Sequence, residues 1–154
     1  MANDPDYLFL LHEVAHLMRT RFDRQARARG MTRAQWAILA RVNRAPGLSQ
    51  NALASVLEVE PITVGRLVDR LESRGFVERR PDPDDRRIWR LHLTPQAAPV
   101  LKEIAAFRAE LNALIGGELD KPTLEALTDN LLTIKSLLSS DDKSDIKSLT
   151  KAAG

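Results

Sequence analysis

Between Pro61 and Thr94 the spacing of apolar residues changes period once, and that change restricts the folds open to the chain. Val64, Leu67, Val68 and Leu71 recur at helical intervals up to Gly75, a residue suited to ending a helix. After it, Phe76–Arg80 reads as a short strand, Pro81-Asp82-Pro83-Asp84-Asp85 as a turn-rich tip, and Ile88–Leu93 as a returning strand. Trp89, Leu91 and Leu93 fall on one side of the return. Val77, Trp89 and Leu91 are therefore expected to pin the hairpin to a core.

The chain upstream supplies three more helices. Leu8, Leu11, Ala15, Met18 and Phe22 mark one face of a long first helix over 5–29, closed by Gly30. Thr32 and Gln35 form a capping box that opens a second helix, running to about Arg44. Pro46-Gly47 is a turn, and Ser49 caps a short third helix carrying Leu53, Val56 and Leu57. Pro61 fits the first turn of the fourth, where a missing N–H loses nothing.

Downstream, Thr94-Pro95 is a cap followed by proline, and a fifth helix carries Val100, Ile104, Phe107, Leu111 and Leu114 up to Gly116-Gly117. Asp120 caps a sixth helix. Its Leu124, Leu127, Leu131, Ile134 and Leu138 alternate by three and four, the pattern of a helix–helix seam. The segment from Ser139 reads as a solvated tail. The expected fold is mainly α with a small β-hairpin (α+β): a winged helix-turn-helix over 32–94, with 1–31 and 95–154 forming a helical dimerisation region.

Charge is informative once it is divided. The net charge is +2, but residues 1–94 hold sixteen Arg and no Lys, whereas 95–154 hold six Lys and one Arg. Arginine presents a planar fork for phosphate or guanine, which lysine does not. Residues 49–94 carry eight Arg and eight acids, so a nucleic-acid reading there rests on where the arginines point.

Opposite the apolar face of the fourth helix lie Thr63, Arg66, Arg70 and Arg74. As a recognition helix it would present Thr63 to a phosphate or thymine methyl and Arg66 to guanine. Pro61 and Ile62 are short enough for close approach. A solvated amphipathic helix explains the same residues. The hairpin tip separates the two readings, because Arg86 and Arg87 stand behind three Asp. An Asp such as Asp85 can hold an arginine in one rotamer as it enters a minor groove. Ser49 and Gln50, at the start of the third helix, complete the candidate DNA-contacting set.

These segments resemble the MarR family of transcriptional regulators. The resemblance is carried by Met31-Thr32 with Gln35-Trp36 and Ile38-Leu39, by Thr63 through Glu72, by Arg74-Gly75-Phe76-Val77, and by Asp85-Arg86-Arg87 six residues before Leu93-Thr94. It implies a homodimer whose first, fifth and sixth helices pack together and whose two winged lobes read a palindromic operator. It also implies a repressor released by a small anionic, often aromatic, effector such as an aromatic acid or its coenzyme A thioester. Two departures stand out: Pro95-Gln96-Ala97-Ala98-Pro99 replaces a usual glycine, and Glu60 is a poor cap for the fourth helix.

Leu8 and Leu11 join the seam residues as candidate dimer contacts. His12, His16 and Arg19 form a polar stripe at i, i+4 and i+7 on the first helix. They read either as an effector site or as a polar face at the dimer surface. Trp36 reads either as a stacking partner for an aromatic effector or as a core residue. A zinc site from the two histidines lacks a third ligand, and no cofactor or metal is expected. No Ser/His/Asp constellation supports an enzyme. The alternative reading is a winged helix used only for protein interaction, which would want an apolar or acidic recognition face. The absence of cysteine and of an N-terminal signal or membrane span fits a cytoplasmic protein.

Overall fold

The computed structural model describes residues 6–151, with side chains through Ser139. The elements in chain order are α1 (Tyr7–Ala28), α2 (Arg33–Arg44), α3 (Gln50–Leu57), α4 (Pro61–Ser73), β1 (Val77–Pro81), β2 (Trp89–Leu93), α5 (Ala98–Gly116) and α6 (Lys121–Lys151). The chain divides into two compact units, Met1–Ala105 and Ala106–Gly154, with the division inside α5.

In the first unit, local signals set the boundaries. Asp6 accepts the Leu8 amide to start α1. The capping box of α2 is complete: Gln35 N–H donates to Thr32 Oγ1 (3.2 Å) and Thr32 N–H to Gln35 Oε1 (2.9 Å). Ser49 Oγ accepts the Ala52 amide at 3.1 Å and starts α3. Each bond satisfies a donor that a helix start leaves unpaired. Gly75 follows α4 with φ of 76°, a left-handed conformation that glycine adopts without strain. A methyl there would also meet the Gln96 side-chain amide, which would have to swing aside.

The hairpin is antiparallel, with Val77 opposite Leu93, Arg79 opposite Leu91 and Pro81 opposite Trp89. A third segment is stitched to it. Leu91 N–H donates to Leu48 O and Gly47 N–H to Leu91 O, so the loop between α2 and α3 runs beside β2. Ile38, Leu39, Val42, Leu53, Val64, Val68, Leu71, Val77 and Leu91 are buried and form one core from three helices and the hairpin.

Several expectations are corrected. Trp89 does not pin the hairpin: it is 44% exposed, while Leu91, two residues further in, is fully buried. The apolar stripe of α1 is covered only in part: Leu11, Ala15 and Phe22 are half-buried, whereas Leu8 is 60% and Met18 44% exposed. Thr94-Pro95 opens a 3-10 turn, Pro95–Ala97, before α5 begins. The Thr94 hydroxyl, instead of capping, donates to the Gly75 carbonyl. With no glycine after Thr94, the chain turns through this tighter path.

The second unit contains the C-terminal part of α5 and α6. Asp120 caps α6 as expected, accepting the Thr123 amide at 3.0 Å; the Thr123 hydroxyl first, and this amide second, lower its carboxyl pKa. The helix continues to Lys151 through the segment read as a tail; the side chains beyond Ser139 lie outside the described residues. Leu127, Leu131, Leu132, Leu137 and Leu138 are all exposed, and Leu124 and Ile134 are half-buried.

Candidate nucleic-acid interface

The arginines of the first unit fall into two groups, those spent on holding the fold and those left facing solvent. Arg79 on β1 is the centre of the first group, its side chain only 15% exposed. Its Nε donates to Gln50 Oε1 of α3 (3.0 Å), its Nη1 to Glu72 Oε2 (2.6 Å) and its Nη2 to the Gly65 carbonyl (3.1 Å), both on α4. The Asp69 carboxylate lies 2.7 Å from the same Nη2. One guanidinium thus ties the hairpin to both helices of the helix-turn-helix, a geometry that needs a planar fork.

Sequence reasoning missed Arg79. The signal was available: Arg79 alternates in phase with inward Val77, and Asp69 and Glu72 lie three apart on α4.

Arg90 and Arg74 belong to the same group. Arg90 Nε donates to Asp82 Oδ2 at 2.7 Å, and its Nη1 to the Gly47 carbonyl at 3.3 Å. Asp82 also accepts the amides of Asp84 and Asp85, folding the hairpin tip around one buried carboxylate. Those amide bonds, the Asp84 amide above all, and the Arg90 partner hold Asp82 below the usual carboxylate range. Arg74 does not extend the recognition face. It turns to the end of α1, donating to the carbonyls of Gly30 (3.0 Å) and Arg29 (3.3 Å), and its guanidinium lies over the Phe76 ring.

The second group is presented outward. Thr63, Arg66 and Arg70 are exposed on α4, Ile62 is 65% exposed, and Pro61 begins the helix. Neither Arg66 nor Arg70 forms an ion pair with a described residue. At the hairpin tip Arg86 is exposed and Arg87 has a side chain 90% exposed. Asp85 grips Arg87 with both oxygens, Nε to Oδ1 and Nη2 to Oδ2 at 3.0 Å each, and also accepts its amide. The Arg87 guanidinium depresses the Asp85 pKa, and Asp85 raises that of Arg87. A cation is thereby held at a fixed angle on a projecting tip.

Ser49 and Gln50 sit elsewhere in this scheme. Both are half-buried and engaged, Ser49 as the α3 cap and Gln50 as an Arg79 acceptor. The turn before α4 holds Glu58 with φ of 54°, an unusual conformation for a side-chain-bearing residue. Glu60 makes no capping bond.

His12 and His16 are exposed on α1 and, with Glu13 and Leu17, line an open groove; Arg19 is exposed further along the helix. Trp36 is 3% exposed, within the core of the first unit. No group of three or more His, Asp or Glu stands close enough to hold a metal ion among the described residues. No helix among them is long and apolar enough to cross a membrane.

Three helices, a two-stranded hairpin docked on the last two of them, and an added helical layer define a winged helix-turn-helix protein. Residues 31–89 match the MarR family. A protein of Thauera aromatica, named as a candidate transcriptional regulatory protein for the hcr operon, is 36% identical over 75 residues, 49% of this chain and 45% of that protein. The uncharacterized HTH-type transcriptional regulator YybA of Bacillus subtilis is 33% identical over 70 residues, 46% of this chain and 47% of its own. The matched stretch thus spans about half the length of these curated relatives. Among solved structures, MarR superposes with a TM-score of 0.75 at 26% identity, covering 91% of this chain and 95% of that one. SlyA superposes with 0.78 at 26%, covering 88% and 96%. Over its winged domain the chain matches the MarR family, and its fold is that of the solved MarR and SlyA structures.

Proposed function

We propose that the protein is a DNA-binding transcriptional regulator that reads a palindromic operator as a homodimer. The observation that carries this reading is the division of arginines: Arg79, Arg90 and Arg74 lock the reading elements together, while Arg66, Arg70 and Arg87 face outward from them. In this reading α4 enters a major groove, with Arg66 on guanine and Thr63 on the backbone. The hairpin tip reaches the adjacent minor groove through Arg87. Ser49, Gln50, Pro61, Ile62, Arg70, Asp85 and Arg86 support or flank those contacts. Such a protein acts on cytoplasmic DNA and carries out no catalysis.

The dimer is supported by the uncovered apolar residues of α1 and α6, including Leu8, Leu127, Leu131 and Leu138, with Leu11, Leu124 and Ile134 beside them. The match to that family favours a repressor released by a small anionic or aromatic effector. The groove at His12 and His16, with Arg19 beyond it, is the proposed site, and Trp36 would contribute from the core side. An effector releases DNA only by preferring the arrangement that does not bind it.

Arg87→Ala tests the central claim. Affinity for a selected duplex should fall strongly, and the slope of log K against log salt should flatten by roughly one unit per lost phosphate contact. The melting temperature should stay unchanged. Unaltered affinity and slope would mean that the hairpin does not touch DNA. For the effector, aromatic acids and their thioesters that raise the melting temperature should also release the duplex. His16→Ala and Arg19→Ala should blunt that release while sparing affinity.

A further inference from the structure

Trp89 is the one large apolar side chain of the hairpin that its own fold leaves uncovered. The register puts Arg79, Pro81, Trp89 and Leu91 on one face of the hairpin, because cross-strand partners and alternate residues share a face. That face is turned to the helix-turn-helix: Leu91 is fully buried on it, and Arg79 reaches α3 and α4 from it. Trp89 lies one position further toward the tip, past the end of the body, and stays 44% exposed. It therefore lies on the face turned to the helix-turn-helix, two residues from Arg87 at the tip.

We propose that Trp89 contacts DNA directly, packing its indole on the sugar-phosphate backbone that runs between the groove taken by α4 and the groove taken by the hairpin tip. This rests on the DNA-binding function proposed above. The chemistry fits that occupant. An indole offers a flat apolar face for deoxyribose and one N–H for a phosphate oxygen, without the charge that Arg86 and Arg87 already supply. The tip beside it carries Asp82, Asp84 and Asp85 as well as Arg86 and Arg87, but Asp82 is buried and Asp85 is engaged with Arg87, whose 90% exposed side chain is the cation this edge offers to an anionic backbone.

The chain has two tryptophans, and Trp36 is 3% exposed, so a solvent-borne quencher reports chiefly on Trp89. Acrylamide quenching is measured on the free full-length protein and with the tightest duplex selected from a random-sequence pool. Trp89→Phe supplies the Trp36 baseline. Bound protein should quench only as much as that baseline. Trp89→Ala should weaken the duplex about tenfold, as expected for losing a partly exposed aromatic from an interface. Its salt slope should match wild type, because no cation is removed. Trp89→Phe should keep most of the affinity. Quenching that is equal with and without DNA, or a Trp89→Ala protein of wild-type affinity, overturns the proposal while leaving DNA binding intact. A wild-type protein that selects no duplex overturns both.

Discussion

The winged domain within the first unit and the second unit handle apolar surface in opposite ways. The winged domain fully covers Ile38, Leu39, Leu53, Leu71 and Leu91 and closes its helix ends with side-chain caps, although α1 of the same unit leaves Leu8, Leu17 and Met18 exposed. The second unit leaves Leu114, Leu127, Leu131, Leu132, Leu137 and Leu138 in the open. The chemistry of the cations follows the same line, arginine through residue 94 and mostly lysine after it. The winged domain carries what it needs to hold a shape, with Arg79, Arg90 and Arg74 committed in fixed geometries while Arg66 and Arg70 face solvent. The second unit sets an uncovered apolar helix face beside strongly hydrated lysines such as Lys121 and Lys135.

The comparison breaks most visibly at the seam. Leu127→Glu with Leu131→Glu should convert a dimer to monomer or aggregate, read by sedimentation at micromolar concentration. It should lower affinity for a two-half-site duplex by about a hundredfold or more, since the two lobes would no longer bind as one. The near-ultraviolet spectrum of Trp36 in the first unit should survive. If the first unit melts with the seam, its independence is wrong.

A smaller effect is expected from the clamp. Arg79→Met removes the tie between hairpin and recognition helix and leaves Asp69, Glu72 and Gln50 without their shared donor. It should destabilise the first unit by about 1–3 kcal/mol. It should also weaken operator binding with an unchanged salt slope, because Arg79 points inward. Arg79→Lys should rescue little, since an ammonium cannot serve four acceptors spread across two helices. Full rescue by lysine would reduce the clamp to simple charge.

Acid sharpens the comparison further. Asp82 and Asp85 both have lowered pKa values in the folded chain, through the Asp84 amide and Arg90 for one and Arg87 for the other. A group depressed on folding contributes stability that is complete above its unfolded value and is lost as pH falls through its folded value. The hairpin tip should therefore hold its shape from neutrality to about pH 4 and loosen only below it. Trp89 fluorescence should follow that loosening. Asp82→Asn should show a weakened tip at all pH values and keep only the part of the acid step that comes from Asp85. A transition centred near neutrality would contradict the assignment.

The least effect belongs to the turn before α4. Glu58→Gly should stabilise by up to about 1 kcal/mol in thermal melts, because glycine takes a φ of 54° without side-chain strain. A loss of stability would mean that the Glu58 side chain does more than tolerate its conformation.

Much of the architecture was legible in the sequence because it is written in local chemistry. Thr32 with Gln35, Ser49 and Gly75 each announce a helix boundary through bonds made within a few residues. The hairpin is announced by its change of period. What was not legible depends on distance. Alternation gave Trp89 and Leu91 to the same face, but not that the body extends far enough to bury one and stops short of the other. Arg74 falls on the polar side of α4 by periodicity, yet the carbonyls that claim it come from Arg29 and Gly30, far back in the chain. The apolar stripe of α1 was visible, with Leu8 and Leu11 read as facing a second copy; that Leu11, Ala15 and Phe22 are half-covered within one chain was not.

The stitch between Leu48 and Leu91 has a bearing on redesign. It joins the loop that launches α3 to the middle of the hairpin, and Arg79 closes the same circuit from the other strand. Specificity is then not a property of α4 that can be transplanted alone. A graft of the recognition helix between relatives would arrive with its acceptors mismatched to the host hairpin. The smallest exchangeable cassette is residues 47–94, carried over as one piece.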